Sequence, residues 1–400
     1  MSTEYLSKDI LDEDYMKTFA PLGCVQMALG CYRVDAKDRF VTEPTLYQRI
    51  YTIFMTTIAT ILYSLLTELV LKQYLDDCYI YNSISVIIVS HWFLLFSNII
   101  HVRFMNSEAN AKFYIKLQKV ERIMTSDQYK TLNDIIYKLN FVTTTLLMST
   151  YIALFMFLCV NDAQMAFLSI GALYFQIVYM MEFAHLTNLL FYFTIRIRFL
   201  NGIIISHLKP YIEPGLEREI RVKAPTKNFL LKFSRDSHNF TTCDIDVYLK
   251  ELLEGFTIFQ NIYKFQILNF LIKHLTFMFF SFGFIIIFLE NHVIKFYEAL
   301  AVAGLSLLDG IMSIFVCFRS EQFLRSVKET KLLCISLMGV YTFDGRLREK
   351  TKRMLKLLED NPPIFSVYDM CYLDARVLIR IFGLSTTVFV TMYNLLIFGY

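Results

Sequence analysis

Seven apolar stretches divide this chain, over residues 50–71, 83–102, 139–160, 164–195, 265–289, 296–318 and about 377–400. Each is long enough, at about 1.5 Å per helical residue, to cross a hydrocarbon core roughly 30 Å thick. In lipid every backbone N–H and C=O needs an internal partner, and a helix supplies one for each. The pattern predicts an all-α membrane protein with seven transmembrane helices. Composition agrees: 56% of residues are hydrophobic and 19% charged, against about 25% charged in soluble domains.

Assigning the intervening links alternately to two faces sorts the Lys and Arg residues. Of 39, Lys72 and Lys295 fall on one face, Lys273 and Arg380 lie inside apolar stretches, and the other 35 share the opposite face. By the positive-inside rule that basic face is cytoplasmic. An odd number of spans then puts the N-terminus in the cytoplasm and the C-terminus outside, inverted relative to G-protein-coupled receptors. The net charge of +3 carries little by comparison. No secretory signal is evident before residue 50, so insertion is expected to use an internal helix.

The cytoplasmic links are long and the outer ones short. Residues 103–138 and 196–264 carry seven and eleven Lys/Arg, and 319–374 reads as one or two helices ended by Pro362 and Pro363. The turn Asn161-Asp162-Ala163 forces its two flanking helices antiparallel. The sequon at Asn239 falls on the cytoplasmic side and is expected to be unglycosylated. Domain organisation follows: residues 1–318 form a six-helix bundle, and 319–400 form cytoplasmic helices followed by the seventh span. Most of the eight cysteines are expected to be reduced thiols. Cys78 and Cys159 both fall near the outer face, where a disulfide and two unpaired thiols are both compatible with the topology.

Catalytic motifs are missing: there is no HExxH, Walker loop or GxSxG, and no enzyme, metal site or cofactor is expected. No nucleic-acid partner is expected either. Ionisable groups inside the spans are more informative, since each costs about 2.5–3.5 kcal/mol at mid-bilayer on insertion scales and needs a partner. Glu68, His91, Glu182, His185, Lys273, His274, Asp309 and Arg380 are such groups. A Lys273–Asp309 pair is expected to clamp helices five and six. The outer half is aromatic instead. Trp92, Tyr151, Phe155, Tyr174, Gln176, Tyr179, Phe280 and Phe284 fall at comparable depth and are candidate walls of a pocket for a small, mostly apolar molecule.

The last stretch reads Thr391-Met392-Tyr393-Asn394-Leu395-Leu396-Ile397-Phe398-Gly399-Tyr400. It resembles the final helix of insect gustatory receptors, in the insect chemoreceptor superfamily, whose signature is Thr-Tyr, five mostly hydrophobic residues, then Gln-Phe. Tyr393 and the spacing match; Met392, Gly399 and Tyr400 depart from it. The stretch at Asp374-Ala375 resembles receptors of moths and butterflies. With seven helices, a cytoplasmic N-terminus and bulky inner links, the likeness extends over nearly the whole chain.

The resemblance implies a tastant-gated, non-selective cation channel in the plasma membrane of chemosensory dendrites. It implies homo- or heterotetramers with other gustatory receptor subunits, and a last helix lining a central pore. Tyr393, Leu396, Gly399 and Tyr400 would then stand at the pore or gate, and the ligand would sit within each subunit. The apolar pocket favours bitter compounds over sugars. Two other readings remain open from the sequence: an odorant receptor of the same superfamily, and a secondary transporter using Lys273, Asp309 and Glu182.

Overall fold

The computed structural model describes residues 10–35, 39–72, 78–124, 126–208, 245–291, 295–340, 345–360 and 362–398. Asn239, Gly399 and Tyr400 lie outside them, as do the side chains of Cys78, Tyr393 and Leu396. The chain forms helices α1 (Glu13–Ala28), α2 (Leu46–Lys72), α3 (Cys78–Ile100), α4 (Ser107–Arg122), α5 (Ser126–Asn161) and α6 (Ala163–Leu208). These are followed by α7 (Ile245–Asn291), α8 (Phe296–Val340), α9 (Gly345–Asp360) and α10 (Ala375–Phe398). Six of them, α2, α3, α5, α6, α7 and α8, are long and apolar enough to cross a membrane. The seventh expected span is also a helix, α10.

Helices α5, α6, α7 and α8 outrun the spans read from sequence, α7 starting already at Ile245. Polar residues at Ser126–Lys138 continue α5 rather than forming a separate link. Helix α6 extends to Leu208, and α8 crosses residues 318 and 319 without a break. All-helical secondary structure also misses a small hairpin, β1 (Ser366–Val367) with β2 (Cys371–Tyr372). It turns at Tyr368 and Asp369, both with left-handed backbone (φ 51° and 57°). Pro362-Pro363 prevents α9 from continuing, so the chain changes direction here. The hairpin feeds α10, whose first turn is capped: Asp374 Oδ1 accepts from the Arg376 and Val377 N–H groups at 2.9 and 3.3 Å.

Helix α6 is central and packs against α8, α5 and α2. Its residues from Val178 to Leu190 are all buried, as suits a helix surrounded by others. Helix α2 shows the reverse of soluble amphipathicity. Ile50, Phe54, Ile58, Ile61 and Leu65 are exposed at helical spacing, while Thr52, Thr56 and Ala59 face inward. Lipid is as apolar as leucine, so small residues at the contact are what let two such helices approach. Gly171 of α6 is the extreme case. A Cβ there would lie 2.7 Å from the Tyr63 backbone nitrogen and 2.9 Å from Leu62 Cβ.

The segment after α1 is fastened across the bundle. Tyr51 and Tyr174 hydroxyls donate to the Ala28 and Leu29 carbonyls, at 2.9 and 3.0 Å. Thr52 and Arg103 both donate to the Gly30 carbonyl, at 2.6 and 2.5 Å. Arg103 sits in a π-helical turn, His101–Met105, that ends α3. Burial pushes the neighbouring Cys31 thiol up to about 12, so it stays protonated. Cys159 is a free thiol.

Because rigid backbone opposes any side chain at residue 171, Gly171→Ala is expected to cost about 1–3 kcal/mol by forcing α2 from α6. A lower melting midpoint of the detergent-solubilised protein checks this. An unchanged midpoint would mean the two helices are not held in this contact.

Candidate functional site: a cavity above a buried ion pair

The end of α5 and the starts of α6 and α8 meet at one end of the bundle, where Tyr297 and Lys295 both reach Asp162. Beneath them lies a cavity of about 210 Å³, bounded by all six long helices α2, α3, α5, α6, α7 and α8. Helical spacing explains how each contributes. On α7, Phe277, Phe280 and Phe284 fall on one face, one turn apart. Their rings are in contact, with centroids 6.1 and 5.4 Å apart, and His91 of α3 stacks on Phe277 at 4.9 Å. On α8, Glu298, Ala301, Val302 and Leu305 make a second wall. Helix α6 adds Ser169, Ala172, Leu173 and Gln176.

The same two faces of α7 and α8 continue downward into an ion pair. Lys273 Nζ lies 2.6 Å from Asp309 Oδ2, and neither side chain has any exposure. Gln176 of α6 donates to the other oxygen, Oδ1, at 3.1 Å. The Lys273 ammonium also sits 4.9 Å from the Tyr179 ring centre and 5.8 Å from that of Phe277. Three helices are thus joined through one carboxylate, directly below the cavity floor.

The residues proposed from sequence divide accordingly. Gln176, Phe280 and Phe284 line the cavity. Tyr151 is buried with Gln176 as a polar neighbour, and Tyr179 stacks on Phe183 and Phe270 nearer the ion pair. Trp92 stacks on Phe96 at 5.0 Å, and Phe155 is half-buried against the main core. Tyr174 points toward the segment after α1. Sequence reasoning did not reach Tyr63, Phe277, Tyr297 or Glu298, although the one-turn spacing of Lys273, Phe277, Phe280 and Phe284 was available to find one of them. Tyr393 and Leu396 fall in α10; Gly399 and Tyr400 lie outside the described residues.

A second polar assembly lies toward the long-link end. Arg33 donates to Glu182 Oε2 at 2.7 Å, to Asn110 at 3.1 Å and to Gln266 at 3.1 Å, and stacks over Tyr263. Burial opposes the Arg33 charge, but the Glu182 carboxylate outweighs it and raises the guanidinium above its ordinary range. His185, one turn from Glu182, contacts the Tyr114 hydroxyl at 2.9 Å. Arg196 and Glu121 form a further buried pair at 2.5 Å, with Asn133 and Tyr192 as additional partners. Burial pushes the Glu121 carboxyl up against the pull of Arg196. Glu68, in contrast, is exposed and pairs with Lys72 at 2.8 Å. Among the described residues no group of His, Cys, Asp and Glu converges on a metal position.

No protein-family model matches the chain, and no curated protein matches it in sequence. A solved structure does match: the insect olfactory receptor OR5 from Machilis hrabei, in complex with eugenol. The TM-score is 0.65 at 11% identity, over 96% of this chain and 100% of that one. The chain therefore has the fold of an insect chemoreceptor, and the likeness runs from end to end. That neighbour is an olfactory receptor with a small molecule bound.

Removing one partner of a dry ion pair leaves an uncompensated charge, whereas replacing both leaves none. Asp309→Leu alone is expected to destabilise the bundle by about 3–5 kcal/mol, and Lys273→Met with Asp309→Leu to recover most of it. Thermal midpoints of the three proteins in the same detergent check this. A double variant as unstable as the single one would show that the charges do not depend on each other.

Proposed function

We propose that this chain is a subunit of a ligand-gated cation channel of the insect chemoreceptor superfamily, in the gustatory branch. The end-to-end fold match carries the reading, and the aromatic cavity supports it. A small organic molecule enters the cavity from the outer side and binds among α2, α3 and α5–α8. It favours one of two bundle packings by its differential affinity for them. Four subunits surround a central pore lined by α10, with the N-terminus cytoplasmic and the C-terminus outside. The protein works in the plasma membrane of chemosensory dendrites.

The gustatory branch rests on Tyr393 and its spacing to Tyr400. The apolar walls favour bitter compounds over sugars, whose hydroxyls require several polar partners. The gate is placed at Tyr393, Leu396, Gly399 and Tyr400, where a ring of apolar side chains closes a pore by excluding water. Gly399 provides no amide in the position where the resembling receptors carry Gln. A partner subunit of a heterotetramer would supply that polar ring. The odorant-receptor reading shares every structural step and differs in ligand; the olfactory identity of the matching structure favours it over the transporter reading.

Whole-cell recording tests the proposal on cells expressing the chain alone and with candidate partner subunits, challenged with bitter compounds, sugars and volatile aromatics. The expected result is a cation current evoked by a bitter compound and changed in rectification or block by Leu396→Cys with a thiol reagent. Stoichiometric substrate uptake without current would establish the transporter instead. Currents confined to volatile aromatics would move the chain to the odorant branch.

A further inference from the structure

We propose that the cavity takes a compact aromatic amine, with Glu298 as the counter-ion of the ligand's ammonium group. The inference rests on reading the cavity as the ligand site, and deepens it by naming the ligand's charge. Glu298 is 9% exposed and lies on the cavity wall, at the start of α8. One carboxylate oxygen, Oε2, faces the Lys295 backbone N–H at 3.4 Å, closing the first turn of α8. The other, Oε1, is buried and accepts no hydrogen bond. A buried carboxylate oxygen left so is expensive unless something fills its place.

The fixed cations nearby are committed elsewhere. The Lys295 ammonium sits 3.5 Å from Asp162 Oδ2 and 3.1 Å from the Tyr297 hydroxyl. Lys273 is held by Asp309. Among the described residues no Lys or Arg side chain forms an ion pair with Glu298. It stands in the first turn of α8, at the positive end of the helix. A cavity wall with a carboxylate oxygen that no donor fills suits a guest that brings a charged N–H donor.

The remaining walls fit the rest of such a molecule. Phe277, Phe280 and Phe284 form a continuous aromatic face running from the ion-pair floor toward Glu298's end of the cavity. Aromatic faces attract both a ligand ring and an ammonium group. At the floor His91 offers a buried Nδ1 that has no partner. A volume of about 210 Å³ admits one fused ring system with a short arm. Neutral apolar molecules of the same shape would gain the ring contacts and leave the Glu298 charge unanswered.

Two probes of nearly equal shape separate charge from fit: tryptamine, and 3-ethylindole, which keeps the ring and two-carbon arm but has no amine. Their binding is measured on the full-length protein in lipid nanodiscs, for wild type, Glu298→Gln and Ala172→Trp. Gln can keep the contact to the Lys295 N–H and removes only the charge. We expect wild type to bind tryptamine about tenfold or more tightly than 3-ethylindole, as a charge-assisted contact requires. Glu298→Gln should erase that preference while still binding 3-ethylindole, which also reports that the variant is folded. Ala172→Trp, which fills the cavity, should abolish both. If wild type binds the two equally and Ala172→Trp removes both, the cavity is a ligand site without charge preference, and the amine proposal falls alone. If neither binds wild type, or Ala172→Trp leaves both unchanged, the cavity is not the site and both readings fall.

Discussion

An ammonium and a carboxylate with no access to water must find each other, and the rest of the bundle has to accommodate that meeting. Lys273 and Asp309 lie on α7 and α8 with their charges 2.6 Å apart. Gln176 brings α6 to the same carboxylate. The rotation of all three helices is thereby fixed: turning any one by a residue, about 100°, would swing its polar group toward neighbours that cannot answer it. Once that rotation is set, the faces above follow. Phe277, Phe280 and Phe284 must look the way Lys273 looks, and Glu298, Ala301, Val302 and Leu305 the way Asp309 looks. The aromatic cavity is a consequence of where the ion pair sits.

A comparable logic holds the other end. Arg33 belongs to no long helix, yet it reaches Glu182, Asn110 and Gln266 on α6, α4 and α7. Arg196 does the same for Glu121 and Asn133 on α4 and α5. Helices α6, α7 and α8 run past the expected spans at this end, and their extensions are tied by polar contacts such as Asn201 with Ser326 and Thr330. One end is thus held by aromatic contacts around a cavity, the other by dense polar networks of buried charges. The first can repack around a guest at small cost; the second resists change, because breaking one bond strands a buried charge.

The difference tracks what was legible in the sequence. Span positions follow from hydropathy alone, because lipid imposes a length that a 20-residue window detects. The Lys273–Asp309 pair was readable because two opposite charges at similar depth have few alternatives. Arg33 was not: it lies in an unremarkable segment before the first span, and its partner Glu182 had two apolar turns of α6 around it and no sequence hint of what would approach. Depth in the membrane fixes a residue's height but not its rotation about the helix axis. Depth therefore gathered Trp92 and Tyr174, which face other neighbours, together with Phe280 and Phe284, which face the cavity. The spacing of Lys273 with Phe277, Phe280 and Phe284 carries the rotation that depth lacks. In sequence Glu298 is an acidic residue near the start of a span, and only the packed structure shows that its Oε1 is buried without a hydrogen-bond partner.

The same rotation argument places α10. Helix α7 has a second face, offset from Phe277 and Phe280, and it is there that α10 packs. Ser385 lies 3.4 Å from the Met278 sulfur, and the Phe389 ring is 4.9 Å from that of Phe282. A guest pressing on the cavity face of α7 therefore acts on a helix whose opposite side carries α10. The first turn of α10 is held by the Asp374 cap, the hairpin before it packs on α7, and α8 gives α10 a second support. Helix α7 is thus the element that touches the cavity on one face and α10 on another, so that the rotation fixed by the ion pair sets both contacts.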